Sequence, residues 1–177
     1  MKSGSPLFEQ IDKSIDKKVN LFSNSFSRYA VRAMLACLFL TLGTAVAFAI
    51  AIKGEGISHG LGKMLYAFMF SWSLVMILYM NAELGTSNML YMTVGVYRKK
   101  VNFSLAAKIL FTCILFNLIG GVLFGFLVSL TVPFQDLPKD SFFFTSIAGK
   151  LEKTTLQILV EAMFANIVRS EERRVGK

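Results

Sequence analysis

The chain has 177 residues, 54% of them hydrophobic, with a mean hydropathy of +0.57, and the apolar residues fall in long blocks instead of at amphipathic spacing. That pattern excludes an ordinary soluble domain and reads as an integral membrane protein. A formal net charge of +8, from 19 Lys and Arg against 11 Asp and Glu, would suit a nucleic-acid partner. Many of the basic residues flank apolar blocks, however, where they set membrane orientation, so no nucleic-acid partner is expected.

Residues 1–32 carry Lys2, Lys13, Lys17, Lys18, Arg28 and Arg32 with Glu9, Asp12 and Asp16. They read as an amphipathic or irregular cytoplasmic lead-in, with residues 1–10 equally readable as a solvated tail. The basic content places the amino terminus inside. The first apolar run begins only after about thirty residues, so no cleavable signal is expected.

Ala33 to Ile52 is uncharged and long enough to cross a bilayer as a helix rising about 1.5 Å per residue. Gly43, Thr44, Ala45 and Ala47 would let a neighbouring helix approach closely. The glycine-rich stretch from Lys53 to Lys63 reads as an external loop, with His59 a solvated loop histidine.

Met64 to Ala82 supplies a second apolar run and leads straight into Asn81-Ala82-Glu83-Leu84-Gly85-Thr86-Ser87-Asn88-Met89. Glu83 is the only formal charge between Met64 and Tyr97. A carboxylate at the centre of a span costs roughly 2.5–3.5 kcal/mol on insertion scales, so it marks a functional site by default. Gly85, Thr86, Ser87 and Asn88 favour turns and local side-chain bonding, which predicts a break in the helix. After the break, Met89 to Tyr97 forms a short second half that ends at Arg98-Lys99-Lys100. The alternative is an intact helix over 64–82 followed by an interfacial segment over 83–97. Non-helical backbone at membrane depth survives only where protein buries it or a wet cavity accepts it, so a break here points to a pore or substrate site.

Phe103 to Val132 carries Lys108 as its sole charge and reads as a third crossing, the lysine snorkelling to the interface. Asn117, Gly120, Gly121 and Gly125 form a candidate helix-packing face, with Gly121 and Gly125 at close-packing spacing and Asn117 an open hydrogen-bonding group. Cys37 and Cys113 lie inside apolar runs without metal-ligand spacing and read as small buried hydrophobes. No metal, cofactor or catalytic constellation is expected, which argues against an enzyme.

Pro133, Asp136, Pro138, Lys139 and Asp140 mark an external loop, followed by Phe142-Phe143-Phe144 as an interfacial anchor. Lys150, Glu152 and Lys153 precede an apolar run from Leu156 to Val168 that carries Glu161 and is too short to cross. The tail over residues 169–177 matches a common sequencing adapter translated in one frame, so it is expected to be non-native. The expected organisation is a cytoplasmic segment (1–32), a partial transmembrane transporter domain (33–168) and that tail. A genuine short protein would leave carbonyls of a half-span unpaired in lipid.

Together these residues resemble the formate/nitrite transporter family. The resemblance rests on Ala82-Glu83-Leu84-Gly85-Thr86-Ser87-Asn88-Met89-Leu90, on Phe116-Asn117-Leu118-Ile119-Gly120, on Lys150, and on Ala165-Asn166-Ile167-Val168. It implies an all-α, multipass transmembrane fold, aquaporin-like, with an interrupted second helix, of which the first three and a half of six helices are present here. It further implies a homopentamer in the cell membrane that passes small monovalent anions: formate or nitrite, sometimes lactate or hydrosulfide. On that resemblance Leu84, Gly85, Thr86 and Ser87 line the substrate path, and Lys150 biases the pore toward anions with Asn166 nearby. Lys150 as a snorkelling interfacial lysine is the plainer reading. Glu83 and Asn88 stabilise the loop, Glu83 by accepting bonds from loop N–H groups. Many family members place a phenylalanine where this chain has Gly85, which leaves the preferred anion open. The central histidine on the family's fifth helix has no counterpart here. The contrasting function is a membrane subunit that only anchors a larger complex.

Overall fold

The computed structural model describes the backbone of residues 6–175 and the side chains of residues 8–165; the regular elements among the described residues are all helices, with no strand. The chain divides into two compact units, Met1–Leu137 and Pro138–Lys177. In the first lie α1 (Pro6–Asn24), α2 (Phe26–Ile57), α3 (Leu61–Tyr79), α4 (Gly85–Tyr97), α5 (Phe103–Ser129) and the short α6 (Val132–Gln135). The second holds α7 (Phe142–Leu151) and α8 (Thr155–Val175).

Among the described residues three helices are long and apolar enough to cross a membrane: α2, α3 and α5. Their outward faces are apolar, with Phe68, Trp72, Phe111, Leu118 and Phe126 all exposed. An exposed apolar surface of this kind suits lipid or other membrane segments as its surroundings. The helices meet through small residues. A Cβ at Gly43 would lie 2.4 Å from the Ser73 Cβ, and one at Gly120 would lie 2.7 Å from the Met34 carbonyl oxygen. Those two positions fix α2 against α3 and against α5, because only a missing side chain allows the backbones so close.

The ends of the elements differ from the sequence expectation in two places. The lead-in takes the amphipathic of its two expected forms, as the regular helix α1, whereas α2 begins at Phe26 instead of Ala33. Ile11, Ile15, Val19 and Phe22 recur along one face of α1, and Ile15 is fully buried in a cluster with Tyr29, Met92 and Ile109. At the other end α2 continues through Lys53, Gly54 and Glu55 to Ile57, leaving a tight turn over Ser58–Gly60 in place of the long loop. Glu55 explains the turn: its carboxylate accepts hydrogen bonds from the Gly60 N–H at 3.0 Å and the Gly62 N–H at 3.1 Å, capping the start of α3. Gly60 itself sits at φ +86, a conformation open to glycine at little cost. His59 is exposed and its Nδ1 lies 2.9 Å from Glu55 Oε1.

In the second unit, Phe142, Phe143 and Phe144 open α7, and Lys150 sits exposed in its last turn. Lys153 pairs with Glu161 at 2.6 Å. The apolar part of α8, Thr155–Ala165, is a short helix. The side chains of Asn166 and of the tail over 169–177 lie outside the described residues.

Candidate functional site

The site is the gap between α3 and α4. α3 stops by a Schellman arrangement: Asn81 takes φ +50, its N–H donates to the Leu78 carbonyl at 3.2 Å, and the Ala82 N–H donates to the Ile77 carbonyl at 3.0 Å. Asparagine tolerates the left-handed region better than most residues, so the sequence ends the helix at that point. Ala82 to Leu84 form no helix, Leu84 being extended, and α4 starts at Gly85, so Gly85–Asn88, expected to break the helix ahead of a restart at Met89, instead form its first turn. α4 ends the same way, with Lys99 at φ 58 and its N–H donating to the Val96 carbonyl at 3.0 Å. The two helical pieces are thus separate elements, each with its own stop.

A gap in a helix frees backbone groups that must find partners. Here α2 and α5 supply them. The Glu83 N–H donates to the Arg32 carbonyl at 3.1 Å. The Glu83 carbonyl accepts from Asn117 Nδ2 at 3.0 Å and from Cys113 Sγ at 3.3 Å. The Gly85 N–H donates to Asn117 Oδ1 at 2.8 Å, and Asn117 Nδ2 also donates to the Ala33 carbonyl at 2.7 Å. Only an amide can serve one donor and two acceptors in this way, which is why asparagine stands there. Asn117 is therefore more than a packing residue.

Glu83 is buried, and its carboxylate is held by two side chains: the Lys18 ammonium from α1 and Asn88 Nδ2 at 3.2 Å. Side chains thus take part in a role expected of loop N–H groups. The Glu83 and Gly85 N–H groups are engaged by α2 and α5, and the buried acid takes a counter-charge from α1. Asn88 is fully buried; its Nδ2 also lies 3.1 Å from the Tyr29 hydroxyl and 3.0 Å from Cys113 Sγ. The Tyr29 hydroxyl in turn donates to the Ile109 carbonyl at 3.1 Å. Cys113, expected as an inert hydrophobe, is part of this network.

The remaining expected site residues fall as follows. Leu84 is buried and packs with Ala36 and Ile77, Gly85 and Ser87 are buried, and Thr86 is exposed. A side chain at Gly85 would meet Ile114 at 3.4 Å and Asn117 Oδ1 at 3.5 Å, ordinary contact distances. Gly120 makes the close approach to α2 described above, whereas a Cβ at Gly121 or Gly125 would meet no heavy atom within 4 Å. No close approach within this chain requires a glycine at Gly121 or Gly125, unlike Gly120. Lys150 belongs to the second unit, where it is exposed in α7.

Sequence reasoning missed Lys18, Tyr29 and Cys113. Lys18 had a usable signal: it lies on the same helical face as Ile11, Ile15 and Phe22, at spacings of three and four. Nothing local marks Tyr29 or Cys113. A salt-bridged fringe surrounds the other end of α4: Asp12 accepts from Arg98 at 2.9 Å and lies 3.2 Å from Lys100. Burial pushes the Asp12 carboxyl up, but the hydrogen bonds and charges of Lys100 and Arg98 outweigh it and hold it below the usual 3.8. Among the described residues no group of three or more His, Cys, Asp or Glu side chains could hold a metal.

The family profile described as "Formate/nitrite transporter" matches residues 5–168 of the chain. The chain is also similar to an uncharacterized transporter, YwcJ, of Bacillus subtilis (strain 168), with 27% identity over 163 residues. That alignment covers 89% of this chain and 62% of the relative, so the chain spans less than two thirds of that protein's length. No solved structure matches the chain. A profile match that runs from α1 through the apolar part of α8, over a helical membrane architecture, places the chain in the formate/nitrite transporter family.

Proposed function

We propose that the full-length protein is a multipass channel or transporter for small monovalent anions, formate or nitrite foremost, with lactate and hydrosulfide in the same chemical class. The observation that carries this reading is the gap between α3 and α4, where a short helix begins at Gly85 amid polar side chains. The N-terminus of a half-helix carries about half a positive charge, which favours an anion nearby. Thr86 is exposed at that first turn, beside buried Leu84 and Ser87. Glu83 would repel an anion if left bare; pairing with Lys18 cancels its charge.

In this reading Leu84, Gly85, Thr86 and Ser87 border the path, Glu83 and Asn88 hold its shape, and the charge of Lys150 biases the pore toward anions. The fold is aquaporin-like, the assembly is a homopentamer, and the amino terminus faces the cytoplasm. The alternative role as a passive anchor draws no support from a specific observation. The test is uptake of radiolabelled formate and nitrite by proteoliposomes carrying the full-length gene product. Saturable or channel-like anion flux, absent from empty vesicles, is the expected result. Vesicles no more permeable to either anion than empty ones would overturn it.

A further inference from the structure

α2 has a face that the gap between α3 and α4 does not use. The buried side of the helix carries Tyr29, Ala33, Ala36 and Ala47. Beside it, Arg28, Arg32, Leu35, Phe39, Leu42 and Val46 recur at spacings of four and three, so they form one stripe along the helix. Arg28, Leu42 and Val46 are exposed, and Arg32, Leu35 and Phe39 are half-buried. The stripe is cationic where α2 begins and apolar from there on.

Neither arginine has a carboxylate partner among the described residues. Asp12 and Asp16 are engaged by Arg98 and Lys100, and Glu83 by Lys18. Residues four apart on a helix are neighbours, about 5–6 Å between Cβ atoms, so two guanidinium groups stand together there with nothing to offset their repulsion. The dimensions of the stripe match one leaflet. Arg32 to Leu42 rises about 15 Å, and the hydrocarbon core of a bilayer is about 30 Å thick. Charge and polarity also limit what can cover this face. A purely apolar helix laid across it would bury two unpaired guanidinium groups, which is costly. A small soluble anion would leave the apolar part bare.

We propose that this stripe seats an acidic phospholipid, with its phosphodiester between Arg28 and Arg32 and an acyl chain along Leu35, Phe39, Leu42 and Val46. Guanidinium groups give paired N–H donors to phosphate oxygens, and the anion relieves the repulsion between the two arginines. Their apolar stems lie along the helix while their heads reach the headgroup level. An acidic lipid is favoured over a zwitterionic one because it brings the net negative charge that the arginines lack. The site is independent of which anion the protein transports.

The test places a fluorescent label on Leu42→Cys in the full-length protein, with other reactive cysteines replaced by serine, in phosphatidylcholine vesicles. Phosphatidylglycerol or phosphatidylcholine brominated along the acyl chains is then added as quencher. Brominated phosphatidylglycerol is expected to quench half-maximally at about a tenth or less of the mole fraction that brominated phosphatidylcholine requires. Arg28→Gln with Arg32→Gln should bring the two curves together and leave the phosphatidylcholine curve in place, whereas Arg28→Gln alone, at an exposed position, should lose part of the preference. Equal quenching by the two lipids in the parent overturns the proposal, as does a preference that survives loss of both arginines. A label that neither lipid quenches also overturns it, because protein then covers the face: a second copy or another segment of the chain. Inorganic phosphate should leave the preference standing when compared with chloride at the same ionic strength; a preference that phosphate abolishes marks a site for soluble anions and overturns the lipid.

Discussion

Asn117→Ala removes three hydrogen bonds at one stroke, and their geometry lets the cost be worked out. The Gly85 N–H loses its acceptor at 2.8 Å. A donor stranded at the start of a helix, away from water, costs about 1–3 kcal/mol. The two carbonyls lose less. Glu83 keeps Cys113 Sγ as a donor at 3.3 Å, and Ala33 lies within α2, where its carbonyl still serves the helix. Together they add about 1 kcal/mol, so the variant is expected to be about 2–4 kcal/mol less stable. Because the lost bonds all converge on the gap, flux should fall by more than the loss of folded protein accounts for. Thermal unfolding in detergent, paired with anion uptake per folded molecule, checks both. Asn117→Asp makes a sharper comparison: it retains an acceptor for Gly85 but turns a carboxylate on two carbonyl oxygens at 2.7 and 3.0 Å, so it should be at least as damaging. An Asn117→Ala protein within about 0.5 kcal/mol of the parent, with undiminished flux, would refute the idea that this amide holds the gap.

Gly120→Ala sets a Cβ against the Met34 backbone at 2.7–2.9 Å, which cannot yield, so α2 and α5 must part at a cost of about 1–3 kcal/mol. Gly121→Ala meets nothing and should be neutral or stabilising by up to about 1 kcal/mol, read by the same melting measurement. Gly85→Ala fits without overlap and should stabilise by about 0.4–1 kcal/mol while changing the ratio of formate to nitrite uptake; an unchanged ratio would remove Gly85 from the path. Asp12 supplies a pH dependence. Its native pKa is lowered, so its contribution is complete above the unfolded value of about 3.9 and is lost as pH falls through the native one. Protease cleavage of α1 should therefore accelerate below about pH 4, and sooner at high salt, whereas Asp12→Asn should show no such acid step.

How much of this was legible beforehand differs from element to element. The spans of α2, α3 and α5 follow from uninterrupted apolar runs, since length and hydropathy are local quantities. The stop near Asn81 was also readable, because turn chemistry acts within a few residues, but the restart was placed at Met89, whereas Gly85–Asn88 already form the first turn of α4. The length of α2 was misjudged for the same reason: glycine density suggested a loop from Lys53, but a carboxylate on the helix itself, Glu55, closes the turn only at Gly60. Of the glycines on the expected packing face, only Gly120 makes a close approach within this chain, because helical position fixes spacing and not which face meets a neighbour.

By itself, then, the sequence determined that this is a helical membrane protein, that a helix stops near Asn81, and which family it joins. Only the tertiary structure decided what holds the break together: Lys18 on Glu83 across 65 positions, Asn117 on Ala33 across 84 and on Gly85 across 32, and Tyr29 on Ile109 across 80. The physical reason is that a lone acid in an apolar run announces its need for a partner through its own desolvation, while the partner's identity depends on which distant helix packs beside it.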